Sequence, residues 1–297
     1  MERTILTFAL VRCFFLVLGA ILTISLPVFA QERPYFVTYS TDLEEPGNLE
    51  IALKSLAASP AHANSFYSPT LEVEYGATGW WTTEAYLQGQ STVNDSTVLT
   101  GFRLENRFRP LPRQYAVTPV IYIEYENISD ADKSILEVTG RDGVSNFKAS
   151  NAEDRTTVNH TLEGKLILSS NLHGWNISEN MIAEKNLSNH PWEFGYAVGA
   201  SRPFSRSSES QNCFLCWNSL EVGAELYGGL GTRYEFGLKN TSQYAGPTAA
   251  LRLPHGTTVS FSPQFGLNDN SLGVLWRFKV SFEFQQIRDI FTAKDAK

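Results

Sequence analysis

The sequence predicts an all-β fold, namely a transmembrane, antiparallel, up-and-down β-barrel of about 12 strands preceded by a cleaved signal peptide. Residues 276–284, with the sequence WRFKVSFEF, alternate apolar and polar side chains without a break. Successive side chains of a strand point to opposite faces, so this segment has one apolar and one charged face. Nearly every strand-like segment before it repeats the pattern.

Composition excludes a disordered chain and a helical membrane protein. Hydrophobic residues make up 42% and charged residues 19% of the chain, so there is enough apolar surface for a core. After the N-terminus no apolar run is long enough to span a membrane as a helix. Removal of the N-terminal signal, which carries a net +1, changes the net charge from −7 to −8. Such an acidic chain is a poor nucleic-acid binder, so nucleic acid is not expected as a partner.

The first 30 residues read as a signal peptide. Arg3 and Arg12 provide positive charge, residues 14–26 form the apolar core, and cleavage is predicted after Ala30. An uncleaved membrane anchor is the alternative. The predicted organisation is a signal peptide over 1–30, a mature N-terminal leader over 31–47, a barrel over 48–284 and a charged C-terminal tail over 285–297.

Thirteen segments read as strands because they alternate apolar and polar residues between turn-like sequences. They are Leu49–Ser55, Thr70–Gly76, Trp80–Gln88, Val98–Phe108, Tyr115–Glu126, Val158–Leu168, Gly174–Ala183, Trp192–Ala200, Leu220–Tyr227, Tyr234–Lys239, Ala249–Leu253, Val259–Phe265 and Trp276–Phe284.

Bacterial single-chain barrels have an even number of strands, so one of the thirteen segments must be false and 12 is the best estimate. The weakest are Leu49–Ser55 and Ala249–Leu253. Glu179 interrupts the alternation of Gly174–Ala183, which allows a bulge or a strand end there.

Three features favour a membrane barrel over a soluble β-sandwich. Aromatic residues cluster at strand ends, as in the girdles at both membrane interfaces. The chain closes on a strand that ends in Phe282-Glu283-Phe284. The polar face is crowded with charge, which a lumen can pair or hydrate. The aromatic residues are Trp80, Trp81, Phe108, Tyr125, Trp175, Trp192, Trp217 and Trp276.

The charged face supplies the candidate functional residues, which are expected to line the lumen. They are Glu72, Glu74, Arg103, Glu105, Arg107, Glu124, Glu126, Glu163, Lys165, Glu221, Glu225, Arg233, Glu235, Arg252, Arg277 and Lys279.

Two cysteines remain in the mature chain, Cys213 and Cys216, in one loop. In an exported protein they favour a local disulfide. A single C-x-x-C is weak evidence for a metal, since a closed zinc site needs about four ligands. No metal and no cofactor is therefore predicted.

At residues 71–80, LEVEYGATGW, the chain resembles the E-x-E-Y-G-x-T hairpin of a bacterial outer-membrane barrel family. That family is labelled as transporters or as putative MetA-pathway phenol-degradation proteins. Residues 162–180, 192–199, 220–225 and 244–247 are similar to its later motifs, so the resemblance spans about 46–284. The resemblance implies a single outer-membrane barrel that takes up small molecules. The family has no established catalytic residues that could be assigned to positions of this chain. The Gly79–Trp81 turn and the cysteine loop depart from the family pattern.

Three functions are open. The first is a channel or transporter for small solutes across the bacterial outer membrane, and the second is a closed structural barrel with a salt-bridged lumen. The third is a lipid-acting enzyme at the rim, but no histidine lies in a convincing nucleophile motif, and no enzyme is predicted. The expected partners are outer-membrane lipid, small solutes and the barrel-assembly machinery.

Overall fold

The computed structural model describes residues 33–111, 115–134, 147–188, 190–204, 220–253 and 256–287. The predicted signal peptide, Cys213, Cys216 and Trp217 lie outside them. Within these ranges the chain forms twelve strands and one short helix. The elements are β1 (Leu49–Ala58), β2 (Phe66–Thr78), β3 (Trp81–Thr92), β4 (Thr97–Phe108), β5 (Thr118–Ser129), α1 (Asn151–Asp154), β6 (Val158–Leu172), β7 (Trp175–Asn186), β8 (Trp192–Pro203), β9 (Leu220–Thr232), β10 (Gln243–Leu253), β11 (Thr257–Gly266) and β12 (Val274–Phe284).

The twelve strands form one closed sheet. Each strand pairs antiparallel with its neighbours in the chain, and β12 returns to pair with β1 from Leu49 opposite Phe284 to Ala58 opposite Leu275. Closure leaves no strand edge unpaired, which is the requirement for a sheet that crosses lipid. The predicted antiparallel, closed barrel of 12 strands is confirmed.

The false strand is Tyr234–Lys239, and both segments considered weakest are real, as parts of β1 and β10. β9 runs past its predicted end to Thr232, so Tyr234–Lys239 falls in the connection to β10. Tyr234, Phe236 and Leu238 are all exposed there. Six alternating residues satisfy the strand pattern, but the segment folds back on the end of β9 and makes only an isolated bridge there, between Phe236 and Gly231.

β7 is continuous through Glu179, and its pairings with β6 and β8 show no register shift. The bulge or strand end allowed at Glu179 is therefore absent. Instead, Glu179 lies on the outward face between Leu168 of β6 and Val198 of β8.

The barrel has two different ends. At one end, called the terminal end, β1 begins and β12 finishes, and the connections there span 79–80, 109–117, 173–174, 204–219 and 254–256. At the other, called the loop end, they span 59–65, 93–96, 130–157, 187–191, 233–242 and 267–273.

The outer surface is apolar and the interior is polar, as the alternation predicts. Large apolar side chains such as Leu71, Leu104, Ile123, Met181 and Phe278 are exposed, while glutamates, arginines, lysines and glutamines are buried inside. Among the described residues, no helix is long and apolar enough to cross a membrane.

Candidate functional site in the barrel lumen

Residues 33–47, called the inner segment, fold into the barrel from the terminal end. The chain enters beside Glu221 and Asn171, reaches the middle of the lumen near Tyr39, and returns to join β1. Its two arms are joined by an ion pair between Arg33 Nε and Asp42 Oδ2 at 3.0 Å. Residues 33–47 of the predicted leader thus lie in the terminal half of the lumen.

The inner segment is held mainly by side chains of the wall. The Glu225 carboxylate of β9 accepts backbone N–H bonds from Phe36, Val37 and Thr38 at 3.0, 2.9 and 2.7 Å. Asn180 of β7 bonds both the N–H and the C=O of Tyr39, at 2.6 and 2.8 Å. These bonds satisfy backbone groups that would otherwise be buried without partners.

Apolar contacts fix the same segment on two sides. Val37 belongs to a buried cluster with Leu56, Phe66, Tyr227 and further residues of the loop half. Leu43 packs with Val120, Tyr122 and Ile167, and Tyr39 packs against this second group. The inner segment therefore packs against two separate groups of buried side chains, one that includes residues of β1, β2 and β9 and one on β5 and β6.

Nine glutamates line up on nine neighbouring strands, each directly opposite the next in the strand register. We call this row the glutamate ladder. Because barrel strands are tilted, a row across them climbs the wall, here from the terminal end on β12 to the loop end on β8. Its members in order are Glu283, Glu50, Glu74, Glu84, Glu105, Glu124, Glu163, Glu184 and Glu193.

Like charges directly opposite each other destabilise a sheet, so the ladder needs cations. Arg107 supplies the densest contact, with ion pairs to Glu74, Glu84 and Glu105 and a bond to the Asp42 carbonyl of the inner segment.

Four further cations complete the network. Arg103 Nη1 lies 3.2 Å from Glu124, and Lys165 Nζ lies 2.8 Å from Glu163. Lys279 Nζ lies 2.9 Å from Glu50. Lys54 and Lys279 both contact Glu72, which lies on β2 two residues before Glu74 and is not part of the ladder.

Oxygen atoms of Glu50, Glu72 and Glu74 lie within 4.8 Å of one another, as metal ligands would. However, Lys279, Lys54 and Arg107 already bind these carboxylates. The geometry is that of an ion-pair network, and we assign no metal to it.

A cavity of about 120 Å³ lies between the inner segment and the loop end. Phe36, Val37 and Tyr39 form its floor, and Ser134 of the 130–157 connection lies beside it. Charged wall residues reach it from several strands. The charged lining residues are Lys54, Arg103, Glu126, Glu163, Lys165, Glu184 and Arg277.

At the loop end, the connection 130–157 is bound to the β3–β4 turn. Asp95 accepts the backbone N–H of Asn151 at 2.7 Å, and this bond lowers the pKa of Asp95. Buried Lys133 donates to Thr92 Oγ1 and Asn151 Oδ1 at 3.2 and 3.0 Å, and burial lowers the pKa of its ammonium. Phe147 stacks on Phe66 inside the barrel. These contacts hold the described part of the connection against the barrel at the loop end.

The structure differs from the predicted lumen set at Arg233 and Glu235, which are exposed in the 233–242 connection because β9 ends at Thr232. The other predicted residues lie on the interior face of the strands. These are Glu72, Glu74, Arg103, Glu105, Arg107, Glu124, Glu126, Glu163, Lys165, Glu221, Glu225, Arg252, Arg277 and Lys279.

Sequence reasoning missed Glu84, Glu184 and the whole inner segment as parts of the site. Glu84 lies on the opposite face from Ala85 and Leu87, so the alternation in the sequence could have identified it as an interior residue. Glu184 falls just beyond the predicted end of its strand, and β7 continues to Asn186. No local pattern in residues 33–47 indicates insertion into a lumen.

No protein-family model and no curated protein matches the chain. Among solved structures, it is similar to a KdgM porin, with 8% identity, a TM-score of 0.51 and coverage of 80% of this chain and 99% of that chain. It is also similar to the COG4313 outer membrane channel from Pseudomonas putida F1, with 9% identity, a TM-score of 0.51 and coverage of 86% and 100%. At such identities the likeness shows the shared barrel fold.

Proposed function

We propose that this protein is a bacterial outer-membrane channel for small solutes, closed in the described state by its own inner segment. The observation that carries the proposal is that the wall is complete without this segment. All twelve strands pair with each other, and the segment is attached through side chains such as Glu225 and Asn180. Its release would leave a closed wall around a freed lumen.

The outer surface supports a location in the outer membrane. An apolar band of side chains such as Leu71, Ile123 and Phe278 faces outward around a closed sheet, as lipid contact requires. In such barrels the short turns face the periplasm and the long loops face outside. We infer that the terminal end is periplasmic, because it holds two-residue turns at 79–80 and 173–174 and the loop end holds the 130–157 connection.

The proposal includes processing and assembly. Residues 1–30 would be removed as a signal peptide, which would place the new N-terminus close to Arg33 at the start of the inner segment. Outer-membrane lipid and the barrel-assembly machinery are the proposed partners. The porin and channel folds among the similar structures are in keeping with a non-enzymatic role.

We also propose membership of the transporter family named above, from its E-x-E-Y-G motif. Gly76 of that motif faces the inner segment, and a Cβ there would come within 2.0 Å of the Glu45 carbonyl oxygen. A side chain at this position would therefore displace the segment as it returns to β1.

The test compares residues 31–297 with the same protein lacking residues 33–45, each reconstituted in planar bilayers. We expect rare openings from the first and steady conductance from the second. Both must first show the gel-mobility change on heating that folded barrels give. A deletion variant that folds and stays silent would contradict the channel proposal.

Such silence would favour the second candidate, a closed structural barrel. The observation behind it is the ion-pair network around Arg107, which ties β2, β3 and β4 to one another inside the lumen. For that function, neutralising Arg103 and Arg107 should reduce heat resistance on gels and leave permeability unchanged.

A further inference from the structure

The wall holds the middle of the inner segment through the main chain of that segment. Glu225 and Asn180 make five hydrogen bonds to residues 36–39, and all five are to backbone N–H or C=O groups. Every residue of any peptide except proline offers the same two groups. Glu225 and Asn180 therefore recognise a peptide backbone without regard to its sequence.

The arrangement of these bonds defines the shape of the bound backbone. The three successive N–H groups of residues 36–38 converge on the single carboxylate of Glu225. Successive N–H groups that point into one concavity form a site for an anion. One residue further on, the Asn180 side chain accepts from the N–H of Tyr39 and donates to its C=O. Four consecutive residues of a curved chain thus satisfy the whole arrangement.

A separate observation indicates that the site is not fitted to the side chains of the inner segment. Thr38 is buried, and its Oγ1 atom has no hydrogen-bond partner among the described residues. Buried polar atoms in folded proteins nearly always have a partner, and a buried hydroxyl without one destabilises the bound segment. The inner segment is therefore an imperfect occupant, and a peptide with a small apolar residue at this position avoids the loss.

The cavity beside the inner segment gives an incoming chain access to the same residues. Phe36, Val37 and Tyr39 line this space of about 120 Å³ between the segment and the loop end. A solute that enters from the loop end therefore reaches these three residues through open space.

We propose that Glu225 and Asn180 form a binding site for short linear peptides, which take the place of residues 36–39 of the inner segment. Peptide N–H groups would donate to Glu225, and the following residue would bond Asn180 through both its N–H and its C=O. The inner segment would then compete with the solute, and its displacement would free the lumen. The inference names the solute class for the proposed channel and rests on that function only for the passage of the bound peptide.

The probe is a capped tetrapeptide, acetyl-Ala-Val-Ala-Ala-amide, whose four residues correspond to residues 36–39. It keeps the valine because Val37 packs in a buried apolar cluster, and it has no hydroxyl at the position of Thr38. The matched control peptide carries N-methyl groups on its second and third residues. These remove two of the three N–H donors to Glu225 and leave the side chains unchanged.

The first measurement is amide hydrogen exchange at Val37 and Thr38 in residues 31–297, folded in detergent micelles, under conditions where the segment recloses faster than it exchanges. These amides exchange when the segment leaves Glu225. A peptide that binds the vacated site multiplies the exchange rate by one plus the ratio of its concentration to its dissociation constant. For a dissociation constant of about 1 mM, the peptide at about 10 mM should accelerate exchange about elevenfold.

The N-methylated peptide should accelerate exchange less than about twofold, since each lost bond to a charged group weakens binding at least about tenfold. An unchanged exchange rate with the first peptide would overturn the proposal. Equal acceleration by the two peptides would also overturn it, because the backbone donors would then have no part in binding.

The second measurement repeats the exchange series in two variants. Asn180→Ala removes two of the five backbone bonds offered to the peptide, so the acceleration should fall to about twofold or less. Asn240→Ala, at an exposed residue of the 233–242 connection, is the control and should keep the full acceleration. Equal acceleration in the two variants would overturn the proposal. If Asn180→Ala does not fold, the peptide pair on the unchanged protein decides.

Failure here is separable from failure of the channel proposal. Steady conductance of the protein lacking residues 33–45, with no effect of the peptide on exchange in the unchanged protein, removes only the peptide site. Peptide-accelerated exchange together with silent bilayers removes only the channel.

Discussion

The ring of Tyr35 lies against Gly199, so closely that a Cβ at Gly199 would come within 2.7 Å of the ring. Tyr35 belongs to the inner segment and Gly199 to β8 in the wall. The Tyr35 hydroxyl donates to Asn176 Oδ1 of β7 at 3.0 Å, which fixes the ring in that place. The absence of a side chain at Gly199 thus permits the segment to dock.

Gly199→Ala should loosen the inner segment without changing any charge. Overpacking by one methyl group costs about 1–3 kcal/mol, so the open fraction in bilayer recordings should rise roughly tenfold. Gly164→Ala is the matched control, because a Cβ there meets nothing nearer than 3.9 Å. Equal open fractions in the two variants would show that Tyr35 does not hold the segment in place.

Glu225→Gln should have a similar effect by a different route. The substitution removes the charge and one of two oxygens that accept three backbone N–H groups of the inner segment. Hydrogen bonds to charged groups contribute about 1.5–3 kcal/mol, so the open fraction should rise about tenfold or more. Glu235→Gln should leave the recordings unchanged. An unaltered open fraction in Glu225→Gln would argue against this anchor.

Arg107→Gln should destabilise the barrel itself. Removal of one partner from a buried ion-pair group costs about 3–5 kcal/mol, and Arg107 contacts three glutamates of the ladder. The measurement is the temperature at which the folded band disappears on gels, which should fall clearly. Arg109→Gln is the control, because Arg109 lies two residues further along the chain, just after the end of β4. If the folded band disappears at the same temperature in both variants, Arg107 does not stabilise the barrel in this way.

Glu179→Leu should stabilise the barrel in lipid. Glu179 is exposed on the outer face within β7, opposite Leu168 and Val198. Acidic residues on the lipid face destabilise barrels less than the ~2–4 kcal/mol of basic ones, so the expected gain in unfolding free energy is about 1 kcal/mol. Urea unfolding in vesicles measures it, with Glu235→Leu as the control outside the band. No gain would place Glu179 outside the hydrocarbon region.

The loop-end contact of Asp95 should depend on pH. Because the Asn151 N–H lowers the folded pKa of Asp95, the contact is stabilised above the usual aspartate pKa of about 3.9. It is lost as the pH falls through the lowered value. Hydrogen exchange at the Asn151 amide should therefore accelerate at acidic pH relative to Asp95→Asn. The same pH profile in both proteins would exclude this link.

The fold was accessible from sequence because alternation is a local property. Trp276–Phe284 and the other correct segments show which side chains face outward, whatever their partners. The error at Tyr234–Lys239 has the same origin, since the pattern is satisfied there but the pairing stops at one isolated bridge from Phe236 to Gly231.

The sequence by itself determined a twelve-stranded barrel with an apolar outside and a charged inside. Only the tertiary structure decided that Glu283, Glu50, Glu74 and six further glutamates stand in one row. The row depends on the register between paired strands, and its first pair, Glu283 and Glu50, joins opposite ends of the chain. The same holds for residues 33–47, whose place in the lumen depends on Glu225 and Gly199, far along the chain.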